Sequence, residues 1–173
     1  MSDRAATKPV GSRKLRLGMI GGGHGAYIGG IHRFAARLDG QFDLVAGAFD
    51  VDAARGHAFA VDNHIAQDRS YGEYQEMVNA EKLRDDGVDV VAICTPNHTH
   101  FPIAKAFLEA GFDVICEKPL TTTLDDAVAL VEAARTADRF LGVTYTYSGR
   151  VPSRGVADRG HRSCRHGPGV RLP

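Results

Sequence analysis

Short apolar runs alternate with segments of helical periodicity along most of this 173-residue chain, and no other feature restricts its fold as much. Val88 to Cys94 is a continuous apolar run broken only by Asp89. A strand of that kind suits a parallel sheet covered on both faces. Leu15–Ile20, Phe42–Phe49, Phe112–Cys116 and Phe140–Tyr147 read as further strands. Between them, Ala26–Leu38 carries Ile28, Ile31, Phe34, Ala35 and Leu38 at spacings of three and four, predicting a helix with that face packed. Asp52 stands as N-cap for a helix over Ala53–Ala60. Ser70–Arg84 reads as a third helix, with Ser70 as cap, Glu73 completing a capping box, and a stripe of Tyr74, Met77, Val78 and Leu83. His98–Ala110 follows, stopped by Gly111. Leu124–Ala134 comes after Thr121-Thr122-Thr123, with Asp125 and Asp126 in its first turn, where the helix dipole favours acids. Strand followed by helix about five times over predicts a doubly wound parallel α/β sheet with right-handed crossovers and helices on both faces.

Apolar residues make up 43 % of the chain and charged residues 24 %, as in ordinary globular proteins. No apolar run approaches the ~18 residues of a membrane helix. Met1 to Lys14 is polar and basic, so it reads as a disordered leader rather than a secretory signal. Cys94, Cys116 and Cys164 are too few and too scattered for a disulfide framework, which makes a reducing cytoplasm the simplest setting. The zero net charge hides a switch. Residues 1–149 hold 15 basic against 20 acidic side chains, whereas 150–173 hold six arginines and a single acid, Asp158. That last segment has no apolar periodicity and is expected to be disordered. Its His161, Cys164 and His166 lack the four-ligand spacing of a structural metal site, so no metal is expected. Its arginines come without aromatic partners, so no specific nucleic-acid binding is expected either.

The chemistry concentrates at three strand ends. The first is Gly21-Gly22-Gly23-His24-Gly25-Ala26, entered by a strand and left by a helix. Glycines let a backbone turn sharply and approach a pyrophosphate, and the helix start offers its N–H groups to that anion. Asp50 follows at the end of the second strand, where an acid accepts hydrogen bonds from adenosine ribose hydroxyls. An acid there disfavours a 2′-phosphate and so favours NAD over NADP, although Arg55 and Arg33 stand near enough in sequence to reach a phosphate. Without a dinucleotide, the same residues would be a tight turn and a helix cap. The second strand end is Thr95-Pro96-Asn97 with His100, at the edge where open α/β sheets bind ligands, although a lone histidine there is more often structural. The third is Glu117-Lys118-Pro119. A lysine there can donate to a substrate hydroxyl or carbonyl oxygen or relay a proton. By itself the tripeptide reads more readily as a surface lysine before a turn.

The glycine cluster after the first strand, TPNHTH after a fourth and CEKP after a fifth resemble, in order and spacing, the Gfo/Idh/MocA family of NAD(P)-dependent oxidoreductases. The resemblance covers about Leu15 to Gly149. It implies a Rossmann domain over 15–149 and hydride transfer between a nicotinamide cofactor, NAD or else NADP, and a sugar, inositol or related polyol. It carries cofactor contacts to Gly21, Gly23, Ala26, Asp50, Thr95, Asn97, His100 and Glu117, and the active-site lysine to Lys118. The stretch from Gly23 to His32 is longer than the family's usual loop, which leaves Ala26 and Gly29 as alternatives for its third small residue. The resemblance also implies a second, substrate-binding domain carrying the oligomer interface, and nothing in 150–173 resembles one. That segment reads like a frameshifted translation, so this chain alone is expected to hold cofactor without turnover. An apolar face is then left uncovered, and with it a tendency to associate.

Overall fold

The computed structural model describes residues 13–38 and 40–145. The expected leader lies largely outside these residues, and the C-terminal segment from 146, with its histidines, cysteine and arginines, lies wholly outside them.

Five strands form one parallel sheet, in the order β2-β1-β3-β4-β5. They are β1 (Leu15–Gly21), β2 (Phe42–Ala48), β3 (Val90–Cys94), β4 (Asp113–Glu117) and β5 (Leu141–Thr144). The helices are α1 (Tyr27–Leu38), α2 (Ala53–Asp62), α3 (Tyr74–Glu81), α4 (His100–Glu109) and α5 (Leu124–Ala137). β1 pairs with β2 on one side and β3 on the other, so the order reverses between β1 and β3. All five residues of β3 are buried, as its unbroken apolar run requires. On one face, Met77 of α3, Phe107 and Leu108 of α4 and Leu130 of α5 pack on Val91, Ile93, Val114 and Cys116. On the other, Phe59 and Ala60 of α2 and Ile28 and Ala36 of α1 pack on Leu17, Met19, Val90 and Ala92. The doubly wound fold is therefore present. Among the described residues no helix is long and apolar enough to cross a membrane.

The caps explain several boundaries. Asp52 accepts from the Ala54 and Arg55 amides at 2.9 and 3.3 Å, and Thr123 accepts from the Asp126 amide at 3.2 Å. Gly111 ends α4 at φ 92°.

Other expectations need correction. Ser70 does not cap the third helix, which begins at Tyr74 behind Glu73. The Tyr71 amide donates to Gly47 O at 2.9 Å, and Ser70 Oγ lies 2.8 Å from His57 Nδ1. The amide thus serves an isolated parallel bridge between Gly47 and Ser70, and the hydroxyl is spent on His57 of α2. TPNHTH follows the third strand of the chain, β3, and EKP closes the fourth, β4, not the fourth and fifth. The helix expected from His98 starts at His100, because Asn97–Thr99 forms a 3-10 turn.

The larger correction concerns α1. Gly29 is its one fully buried residue, and Ile28, His32, Arg33 and Ala36 share the inner side. Tyr27, Ile31, Phe34 and Leu38 face solvent, with Phe34 64 % exposed. Of the stripe expected to pack inward, Ile28 does so, whereas Ile31, Phe34, Ala35 and Leu38 are turned out.

One ionic cluster lies inside the fold. Glu81, 1 % exposed, accepts from Arg69 Nε at 3.0 Å, Tyr71 Oη at 2.9 Å and the Val88 amide at 3.0 Å. Arg69 Nη2 also reaches Glu81 Oε2 and the Asp86 carbonyl. Every polar atom of that carboxylate is paired, as a buried charge requires.

Candidate functional site

The carboxyl ends of β1, β2, β3 and β4 bring the sequence-marked residues to one edge of the sheet, around the reversal between β1 and β3. Open α/β sheets bind ligands in that crevice. Gly21 and Gly22 sit at φ 72° and 76°, in the left-handed region that only glycine enters cheaply. The chain thereby turns from β1 into α1 within a few residues. A Cβ on Gly23 would lie 2.7 Å from Phe49 O, and the Gly23 amide donates to that oxygen at 3.0 Å. Gly22 and Gly29 approach so closely that a Cβ on Gly29 would meet the Gly22 backbone. Close packing of helix on loop is thus met by Gly29. Ala26 closes the turn instead, its amide donating to Gly23 O at 3.2 Å. The first amides of α1 have no intrahelical acceptors, so they and the dipole's positive end face this edge.

Asp50 is half-buried. Its Oδ1 accepts from the Asp52 amide at 3.0 Å, and its Oδ2 lies 3.2 Å from Arg55 Nη2. Arg55 is therefore held by the acid it was weighed against. Arg33 is committed elsewhere. Its guanidinium donates to Gly22 O from beneath the loop and lies 4.7 Å from the Phe59 ring centroid. Desolvation, with Arg37 nearby, holds its pKa below the ordinary arginine value. His24, on the outside of the loop, reaches Asp62 at 2.9 Å.

At the β3 end, Asn97 is exposed and Thr95 half-buried. Thr99 Oγ1 donates to Thr95 Oγ1 at 2.7 Å. His100 is 1 % exposed, with Nδ1 2.8 Å from Pro119 O and Nε2 2.9 Å from Thr95 O. Its ring thus ties the TPN loop to the EKP loop from below. At the β4 end Lys118 is exposed, and the Lys118–Pro119 peptide is cis. Glu117 is buried beneath it. Burial pushes the Glu117 carboxyl up, but hydrogen bonds from His32 and Thr144 outweigh this and hold it below the usual carboxylate range. Burial and the nearby Glu117 push the thiols of Cys94 and Cys116 up to about 12, so both are buried neutral thiols.

Near the glycine turn in the sequence, His32 suits a cofactor contact and helix-start packing equally. Its partner Glu117 lies 85 positions away, and no local signal links the two.

Residues 15–145 match a family model described as an oxidoreductase family with an NAD-binding Rossmann fold. An uncharacterised oxidoreductase of Bacillus subtilis is 46 % identical over 139 residues, covering 80 % of this chain and 35 % of that protein. Inositol 2-dehydrogenase of Corynebacterium glutamicum is 32 % identical over 130 residues, covering 74 % of this chain and 35 % of the relative. Among solved structures, an inositol dehydrogenase homologue from Azotobacter vinelandii, complexed with NADH and myo-inositol, is 47 % identical at TM-score 0.78. The match covers 80 % of this chain and 36 % of that one. The chain thus spans about a third of the length of these relatives.

Proposed function

The chain belongs to the Gfo/Idh/MocA oxidoreductase family, and from that membership we propose that it binds NAD along the carboxyl edge of its sheet. Residues 15–149 form, on this reading, the cofactor half of an enzyme that moves hydride between a nicotinamide and a sugar, inositol or related polyol. One observation carries the reading. A left-handed glycine loop opening a helix, an acid after the second strand, exposed Asn97 and exposed Lys118 converge on one edge around one reversal of strand order. Gly21 and Gly23 let the backbone approach a pyrophosphate, and the start of α1 just after Ala26 faces it with N–H donors. Asp50 accepts from the adenosine ribose hydroxyls. Thr95 and Asn97 line the crevice beside the nicotinamide, while His100 and Glu117 hold the two loops that border it. Lys118 donates to the substrate oxygen and relays its proton. The bound dinucleotide supplies the carbon that exchanges hydride.

A fluorescence titration of the purified chain with NADH, and separately with NADPH, tests this. Saturable binding that prefers NADH supports it, and an Asp50→Ser variant should lose that preference. Binding of neither cofactor refutes it. A second reading is a dinucleotide-binding module without turnover, favoured by a family match over residues 15–145 that is described as an NAD-binding Rossmann fold. Reduction of NAD with a panel of inositols and sugars separates the two.

A further inference from the structure

Glu117 closes β4 and is 5 % exposed. Its carboxylate is held from three sides. His32 Nε2 lies 2.9 Å from Oε1, Thr144 Oγ1 donates to the same oxygen at 2.7 Å, and the Lys118 amide donates to Oε2 at 3.2 Å. An ionised carboxylate only accepts, so His32 Nε2 carries the proton in this contact. His32 belongs to α1 and Thr144 to β5. Among the described residues, the α4 and α5 side chains pack with Val114 and Cys116 of β4 on the opposite face, while Ile115 of β4 joins the core on the α1 side. The His32–Glu117 contact is the polar tie on this face between the helix that opens from the glycine loop and the strand end that carries Lys118.

We infer that His32 is a positioning residue for Lys118, fixing Glu117 and thereby the distance from the glycine loop to the lysine-bearing loop. The inference rests on the NAD reading above, in which a dinucleotide spans those two places. His32 is half-buried on the inner side of α1, its side chain 11 % exposed and turned to Glu117. It therefore acts through Glu117 and not by touching ligand. A preset distance means that the cofactor does not have to order the lysine loop as it binds. Thr144 of β5 donates to the same oxygen, so His32 and Thr144 fix the carboxylate together.

The test uses the full chain with His32→Leu, His32→Gln and Thr144→Val. Two quantities are measured: the NADH dissociation constant by fluorescence, and the Lys118 backbone amide resonance by ¹H–¹⁵N NMR. Loss of one charge-assisted hydrogen bond in H32L should weaken NADH about tenfold and shift the Lys118 amide. H32Q, whose amide nitrogen can donate in place of Nε2, should return both toward wild type, affinity to within about threefold. A folded H32L with unchanged NADH affinity and an unmoved Lys118 amide overturns the inference, as does an equal loss in H32L and H32Q. If H32L does not fold, T144V decides, because it removes the other donor to Oε1 and leaves the helix intact. It should move the Lys118 amide and weaken NADH, and no change in either overturns the inference. Failure of the wild type to bind NADH would refute the NAD reading, while the Lys118 amide in H32L and T144V would still decide the tie itself.

Discussion

Alanine at Gly29 tests the join between α1 and the glycine loop. A Cβ there would lie 2.5 Å from Gly22 O and 2.8 Å from Gly22 C, and closer still to Gly22 Cα. Ordinary carbon contacts fall at about 3.5–4.0 Å, so helix or loop must retreat by about 1 Å. Neither yields easily. All three atoms are backbone, and Arg33 donates to Gly22 O from below. Overpacking of this kind costs about 1–3 kcal/mol, offset by the roughly 0.5–1 kcal/mol that alanine gains over glycine inside a helix. Gly29→Ala is therefore expected to destabilise by up to about 2.5 kcal/mol. It should also weaken NADH at least tenfold, since a shift of about 1 Å displaces the amides meant for the pyrophosphate. Gly30→Ala is the internal control. It lies in the same helix, its added Cβ finds nothing nearer than Arg33 Nη2 at 3.9 Å, and it should stabilise by about 0.5–1 kcal/mol. Urea unfolding and NADH titration of both variants give the answer. If G29A is as stable as G30A and binds NADH like wild type, the close approach of helix and loop is not what holds this site.

Three further outcomes follow from the rest of the fold. Glu81→Ala leaves Arg69 buried without its carboxylate and should cost about 3–5 kcal/mol in urea unfolding, enough to leave much of a marginally stable domain unfolded. Burial pushes the Asp89 carboxyl up, but hydrogen bonds from Arg13 and Arg16 outweigh this and hold it well below the usual range. Its stabilisation is thus complete above the unfolded carboxyl's pKa of about 4 and is lost as pH falls below it. Thermal midpoints measured from pH 6 to pH 2 should therefore fall more steeply in wild type than in Asp89→Asn. Phe34→Glu on the exposed stripe of α1 should change stability by no more than about 0.5 kcal/mol. It should reduce concentration-dependent association on size exclusion, and an unchanged elution profile would show that the stripe does not drive association.

The sheet was legible because each parallel strand is covered on both faces and must read as an apolar run, as Val90–Cys94 does. The edge residues were legible because glycine at positive φ and the end of a strand carry local signatures. What failed was whatever depends on a partner distant in sequence. Ser70 looks like a cap until Gly47 takes the Tyr71 amide. The apolar spacing of α1 counts which residues share a side but does not say which side faces the sheet. Gly29 decides that. Because it alone can sit against Gly22, the helix is rotated to bring it inward, and the 100° step per residue then carries Ile28, His32, Arg33 and Ala36 inward with it. Tyr27, Ile31, Phe34 and Leu38 are left outside by the same rotation. The glycine that seats the helix on the loop is therefore also what aims His32 at Glu117. Packing at the loop and placement of the lysine thus share one structural cause, and a substitution that turns α1 about its axis should disturb both together.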